Sequence, residues 1–382
     1  MKNCPICDSS SFEKIVFRTN VPVHENLIYE TTNEAKQIPT GEILSMMCKQ
    51  CNFVFNQKFD LSKLSYGDGY NNSQNSSKFF KDHVDSLIQQ LISKTLLEKK
   101  RILEIGCGDG YFLKKLLNET DKNFGIGYDP SYNESNESLD DIRIEKKFFD
   151  DTCKEDADLI ISRHTIEHIP EPIKFLKDIR KISKLNTRIF IETPDVEWIL
   201  KNSVFWDITY EHCSFFSKNS ISTALQISGF QINSIKKIFN NQYMWIEAIP
   251  SNSTNITFNN SLNSFVANFS EKYEQKQNEF QAKILNFRKK GNVAVWGAAG
   301  KGVNFTNMLD PNHDLIDCLI DLNPKKWGKF IAGTGHEIIN FTDIENREIN
   351  TAIVMNPNYF DEISSLVKEN NLQLELVNTE IF

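Results

Sequence analysis

The sequence predicts an α/β protein with a central parallel sheet, a second and smaller sheet of the same kind, and a small cysteine-built domain in front. Three observations carry that expectation. Apolar strands alternate with helical stretches through the middle of the chain. A strand, a Gly-rich turn and a helix follow one another twice, near residues 101–117 and again near 292–309. Two Cys-x-x-Cys pairs, Cys4/Cys7 and Cys48/Cys51, flank the first strand-like pieces.

The elements follow in order. Residues 1 to about 60 hold FEKIVFRT, ILSMMC and NFVFNQKF, short strand-like runs around the cysteine pairs. The polar stretch YGDGYNNSQNSSKFF is read as a loop or lid. From Lys78, the spacing of Phe79, Phe80, Val84, Leu87, Ile88 and Leu91 predicts a helix. Strands are expected at Arg101–Ile105, at FGIGYD ending in Asp129, at Leu159–Ser162 and at Arg188–Glu192, with a helix over EPIKFLKDIRKIS. The block closes near Pro250. A Ser/Asn/Thr-rich linker follows, and then Phe265, Phe269, Tyr273, Phe280, Ile284 and Phe287 predict a long amphipathic helix. The expected domains are 1–75 (cysteine domain and lid), 76–250 (central sheet), 251–290 (linker and long helix) and 291–382 (second sheet).

Composition narrows the function. With 382 residues, 40% of them hydrophobic and 25% charged, the chain has a globular make-up and room for several domains. A net charge of -8 argues against a nucleic-acid partner, since neutralising phosphates needs a basic surface. No apolar run approaches the ~20 residues of a membrane span. The start MKNCPICDSS has no apolar leader segment, so a cytoplasmic location is expected.

The motifs supply chemistry. Two Cys-x-x-Cys knuckles can complete a tetrahedral zinc site from Cys4, Cys7, Cys48 and Cys51; four sulfurs close such a site, so its role is structural. The turn Glu104-Ile-Gly106-Cys-Gly108-Asp-Gly110 lets backbone approach a ligand closely, and Asp129 at the next strand end suits ribose hydroxyls. The run Arg163-His164-Thr-Ile-Glu167-His168, the run Glu192-Thr-Pro194-Asp195 and the run Tyr210-Glu211-His212 all follow strands, where open α/β sheets bind ligands. Gly297-Ala-Ala-Gly300-Lys301-Gly302 offers backbone N–H groups and one ammonium to an anion, with Asp321 about 20 residues on. By itself that turn suggests NAD and an oxidoreductase, although its spacing is not the usual G-x-G-x-x-G.

Taken in order, the cysteine pairs, E-x-G-x-G-x-G, R-H-x-x-E-H-I, E-x-P-D, E-H-x-S-x-F-S and G-A-x-x-K-G resemble the sugar C-methyltransferases, a class I S-adenosylmethionine (SAM) family. The resemblance spans essentially the whole chain. It implies a zinc-binding N-terminal domain, a central Rossmann-like SAM domain and a C-terminal nucleotide-sugar domain. It also implies that SAM is held by Glu104, Gly106, Gly108 and Asp129, with Arg163 counted among the cofactor contacts. The general base would be His212, with Glu211 and His168 beside it and Tyr70 closing over the pocket. Lys301, Gly300, Gly302 and Asp321 would hold the nucleotide diphosphate. In one place the sequence departs from the family: Thr209 stands where the family often has tyrosine, unless Tyr210 reaches the same place. Oxygen methylation by the same site is the alternative outcome.

Overall fold

The computed structural model describes residues 3–65, 75–94, 97–133, 141–252, 256–258 and 262–379. Strands Phe12–Pro22, Thr40–Cys48 and Val54–Asn56 form an antiparallel sheet with alternating burial, and Ser214–Phe215 from the centre of the chain completes it. Phe53 packs its ring 5.1 Å from that of Phe216, fastening the cysteine-bearing end to the central unit. The two-residue strand Ile28–Tyr29 pairs with Phe330–Ile331 of the last unit. The first 65 residues are therefore laced into both neighbours by backbone hydrogen bonds.

The central sheet has seven strands. In spatial order they are Phe230–Ile238, Tyr243–Pro250, Ser183–Pro194, Ala157–Arg163, Arg101–Ile105, Phe124–Tyr128 and Ile142–Glu145. The five from Ile142–Glu145 to Ser183–Pro194 run parallel, and the hairpin Phe230–Pro250 adds the antiparallel edge. Ile102, Leu103, Ile160, Ile161 and Phe190 are wholly buried, as strands covered on both faces must be. Helix Lys78–Lys94 turns Phe80, Val84, Leu87, Ile88 and Leu91 onto one face, as their spacing predicts. The chain leaves Arg101–Ile105 toward one edge and returns to its other side as Ala157–Arg163. That reversal makes the crevice at the carboxyl end of these two strands the expected ligand site.

The second sheet repeats the plan with five parallel strands: Ile338–Ile339, Cys318–Ile320, Asn292–Trp296, Ile349–Val354 and Glu375–Asn378. Its own reversal flanks Asn292–Trp296, so the turn starting at Gly297 occupies the equivalent place. The 26-residue helix Asn263–Arg288 buries Val266, Phe269, Phe280 and Ile284. Phe280 meets Trp206 at 5.2 Å, and Trp206 meets Phe305 at 5.5 Å, so one aromatic cluster joins the central unit, the long helix and the last unit. Asn304 donates to the carbonyls of Trp206 (2.6 Å) and Ile208 (3.2 Å), which seals the same seam. Among the described residues no helix is long and apolar enough to cross a membrane.

Candidate active site

The glycine turn begins where Arg101–Ile105 ends. Gly106 and Gly108 both sit in the left-handed region, at φ +73° and +56°. A Cβ on Gly106 would lie 1.9 Å from Thr165 Oγ1, whereas one on Gly108 would meet nothing within 4 Å. The first glycine is thus needed for packing, and the second keeps backbone open toward the crevice. Asp129 binds this turn: its Oδ2 accepts from Gly108 N–H (2.8 Å), and its Oδ1 accepts from the N–H (2.8 Å) and hydroxyl (2.6 Å) of Ser131.

Beside the turn lie two buried groups with capacity to spare. Glu104 Oε2 and Arg163 Nη2 have no hydrogen-bond partner among the described residues. Burial pushes Glu104 up to about 8, against the pull of Arg163. Arg163 lies 4.4 Å over the Phe112 ring and donates from Nε to Glu192 (2.7 Å). Glu192 also accepts from His83 (2.6 Å). Burial alone would raise Glu192, but Arg163, His164 and His83 hold it far below the ordinary carboxylate range.

The histidines gather on the other side of the crevice. Ile166–His168 forms a single 3-10 turn after its strand, and His164 before it is left-handed at φ +48°. The His168 and His212 rings are 4.9 Å apart and nearly perpendicular. Ligand-type atoms of Glu167, His168 and His212 all lie within 4.8 Å of one another. Burial, then His212, pushes His168 down to about 3; burial also lowers His212. Burial would raise Glu167, yet His164, His168 and His212 keep it below its usual value. The cluster therefore holds two neutral imidazoles and one carboxylate at neutral pH. His212 Nδ1 is buried with no partner among the described residues.

Lys301 closes the crevice from the second sheet. Its ammonium is 3.0 Å from Asp207, 3.2 Å from Gln242 and 5.3 Å over the Trp198 ring, all on the central unit. Its charge is among the influences that lower His212. Gly300 and Gly302 lie in the first turn of helix Gly300–Leu309. Asp321 Oδ2 accepts from Ala298 N–H (3.0 Å), the same service Asp129 gives the first turn. The ligand edges of the two sheets thus face one cleft.

The four thiols of Cys4, Cys7, Cys48 and Cys51 lie together, with Sγ–Sγ separations of 3.6 Å for Cys4–Cys51 and 3.5 Å for Cys7–Cys48. A tetrahedral metal with ~2.3 Å sulfur bonds sets its ligands ~3.8 Å apart, so this set fits a closed four-sulfur metal site.

Residues 80–235 match the family model described as a methyltransferase domain, and residues 255–373 match the one described as a C-methyltransferase C-terminal domain. The chain belongs to the class I SAM-dependent C-methyltransferase family. A search of curated proteins gives no match. Solved structures similar to this methyltransferase include a SAM-dependent methyltransferase from Listeria monocytogenes, with 13% identity, 46% of this chain and 100% of that one covered, and a TM-score of 0.36. Another is the magnesium protoporphyrin IX methyltransferase of Synechocystis with bound SAH, with 14% identity, 47% and 88% covered, and a TM-score of 0.38. A third, from Mesorhizobium loti, shows 13% identity, 44% and 99% coverage, and a TM-score of 0.36.

In this methyltransferase Glu104, Gly108, Asp129 and Arg163 are neighbours at the glycine turn, Glu167, His168, His212 and Lys301 are neighbours at the histidine pair, and the Glu211 side chain bonds to the N-terminal segment. The Glu211 carboxylate accepts from His24 (2.7 Å) and Asn26 (3.3 Å) of the N-terminal segment. The carboxylate beside the histidines is Glu167, a member of the R-H-x-x-E-H run to which the sequence reading gives no role. Tyr210 is fully buried, 5.4 Å from Phe59, with its hydroxyl accepting from Asp60 N–H (3.0 Å). Thr209 instead accepts from the backbone N–H of His212 (3.4 Å). Tyr70 lies outside the described residues. His83, Asp207 and His24 carry no sequence signal, because their partners are supplied by distant segments.

Proposed function

We propose that this methyltransferase transfers the SAM methyl group to a carbon of a nucleotide-activated sugar, with His212 as the base. The observation that carries the reading is the buried His168–His212 pair, with rings 4.9 Å apart and the Glu167 carboxylate beside them. The unpartnered Glu104 Oε2 and Arg163 Nη2 are complementary to the ammonium and carboxylate of a methionine end. Asp129, already turned toward the glycine loop, has lone pairs left for ribose hydroxyls. Bound SAM supplies an electrophilic methyl group on a sulfonium. His212 takes the proton from the carbon next to a ketone, and the cleft walls exclude water from the resulting carbanion.

Lys301 and the N–H groups at the start of helix Gly300–Leu309 are suited to a diphosphate, which would exchange Asp207 for a stronger anionic partner. Gly300, Gly302 and Asp321 shape that turn. The four-cysteine set would hold zinc, with a structural role. Incubation with ¹³C-methyl SAM and a nucleotide-activated keto-sugar tests the reading, because NMR distinguishes a carbon-bound methyl from a methoxy group. A carbon-bound methyl is expected. A methoxy product would move the chemistry to oxygen, with His212 deprotonating a hydroxyl, and absence of transfer to any such sugar would end the substrate assignment.

A further inference from the structure

Three consecutive residues of the N-terminal segment meet the loop that carries His212. His24 Nε2 accepts from the backbone N–H of Ser65 (3.0 Å), so its proton sits on Nδ1 and is donated to Glu211 Oε1 (2.7 Å). Asn26 Nδ2 donates to Glu211 Oε2 (3.3 Å). Glu25 Oε1 accepts from the backbone N–H of Tyr210 (3.0 Å). His24, Glu25 and Glu211 are 5%, 2% and 1% exposed, so these contacts are made out of water, where they count most.

We infer that His24, Glu25 and Asn26 are positioning residues for the methyl transfer: they grip Tyr210 and Glu211 and thereby set the place of His212, the next residue. The inference rests on the reading of His212 as the base. Further fixed points of this loop come from the N-terminal sheet, beside those from Asn304 at Ile208 and His168 at the Glu211 backbone. The Tyr210 ring lies against Gly41, so closely that a Cβ there would be 2.1 Å from it, and its hydroxyl is held at Asp60. A base displaced by ~1 Å can lose ~100-fold in rate, so the grip on its neighbour has a kinetic consequence.

Glu25 gives this grip a distinctive chemistry. The groups facing it are Glu211, His24, Arg18 and, across Glu211, Tyr29. Two carboxylates side by side in a desolvated space cannot both ionise. Burial, then Glu211, pushes Glu25 well above its ordinary value, so Glu25 is the neutral acid of the pair. Neutral Glu25 can turn its second oxygen, which has no geometric partner among the described residues, into a donor toward Glu211. Ionising Glu25 at alkaline pH would set two negative charges against each other under the catalytic loop.

The test uses full-length, metal-loaded protein and reads kcat, SAM affinity and metal content together. His24→Ala and Glu25→Ala should lower kcat about 10- to 100-fold with SAM affinity and metal content retained. His24→Asn, which keeps an N–H near the place of Nδ1, and Glu25→Gln, which mimics the neutral acid, should each recover most of the loss. Glu25→Gln should also remove an alkaline decline in kcat that the native protein shows. The inference is overturned if His24→Ala keeps full kcat, if the conservative variants rescue nothing, or if the Glu25→Gln pH profile matches the native one. His212→Ala measured alongside separates the two claims. If it stays active, the base assignment fails; if it is dead while His24→Ala is fully active, only the positioning role fails.

Discussion

His168 and His212 are two imidazoles in one pocket, and their surroundings give them different work. His168 is driven down to about 3 and stays neutral at any pH the protein would meet. His212 is also lowered by burial, with Glu167 and Asp207 opposing the shift. A base must be neutral to act, so kcat should fall on acidification with a midpoint below the ~6.5 of a free imidazole. A pH–kcat profile reads this, and a midpoint above that value would contradict the buried environment. His212→Ala should cost about 100- to 10,000-fold in kcat with SAM binding intact, and His168→Ala should cost less. At this scale the sequence was legible where a function is local. The four cysteines stand in short motifs whose spacing implies a metal site and Asp129 ends a strand after a glycine turn, whereas the roles expected of the two histidines come from the resemblance. Glu167 and Glu211 each adjoin a motif histidine, and only the path of the backbone sets the Glu167 carboxylate beside the histidine pair. His83 and His24 were invisible because their partners lie 109 and 187 residues away.

The glycine turn and the strand feeding it form the element on which SAM binding depends. Alanine at Gly108 would meet no atom, yet it must adopt a left-handed backbone and would project its methyl into the open crevice. Gly108→Ala should therefore weaken SAM binding at least tenfold by calorimetry, with a fold cost of only ~1–2 kcal/mol. Gly106→Ala drives its Cβ into Thr165 and should lower the melting temperature more than Gly108→Ala does. Equal effects of the two on SAM affinity and melting would show that the turn is merely structural at both positions. Regular elements with clear periodicity were legible: Arg101–Ile105, Lys78–Lys94 and Asn263–Arg288 fall where apolar spacing puts them. The short strands Ile28–Tyr29 and Ser214–Phe215 were not, since two residues carry no period and owe their extended form to partners in other units.

Across the whole molecule, two sheets of the same plan present their ligand edges to one cleft, and the N-terminal segment is laced into both. A metal in the four-cysteine site should therefore matter for the fold and not for the chemistry. Purified protein should carry about one zinc per chain, and Cys51→Ser should lower zinc content and melting temperature together. Soluble, active protein without zinc would contradict that role. Lys301 comes from the second sheet and its ammonium meets Asp207, Gln242 and Trp198 of the central unit, so Lys301→Ala should raise the acceptor KM while leaving SAM affinity nearly unchanged. A fall in SAM affinity without a change in acceptor KM would reverse the two roles. The order of motifs along the chain suggests three units but not how they join, because no local pattern encodes the Trp206–Phe280–Phe305 seam.

The most direct measurement is hydrogen exchange at the acceptor carbon. A nucleotide-activated keto-sugar is incubated in deuterated water without SAM, and deuterium next to the ketone is followed by NMR. Native protein and His168→Ala should both catalyse exchange, the variant more slowly, while His212→Ala should leave only the uncatalysed background. Robust methyl transfer by a native protein that catalyses no exchange, or exchange that survives in His212→Ala and vanishes in His168→Ala, would contradict proton abstraction by His212.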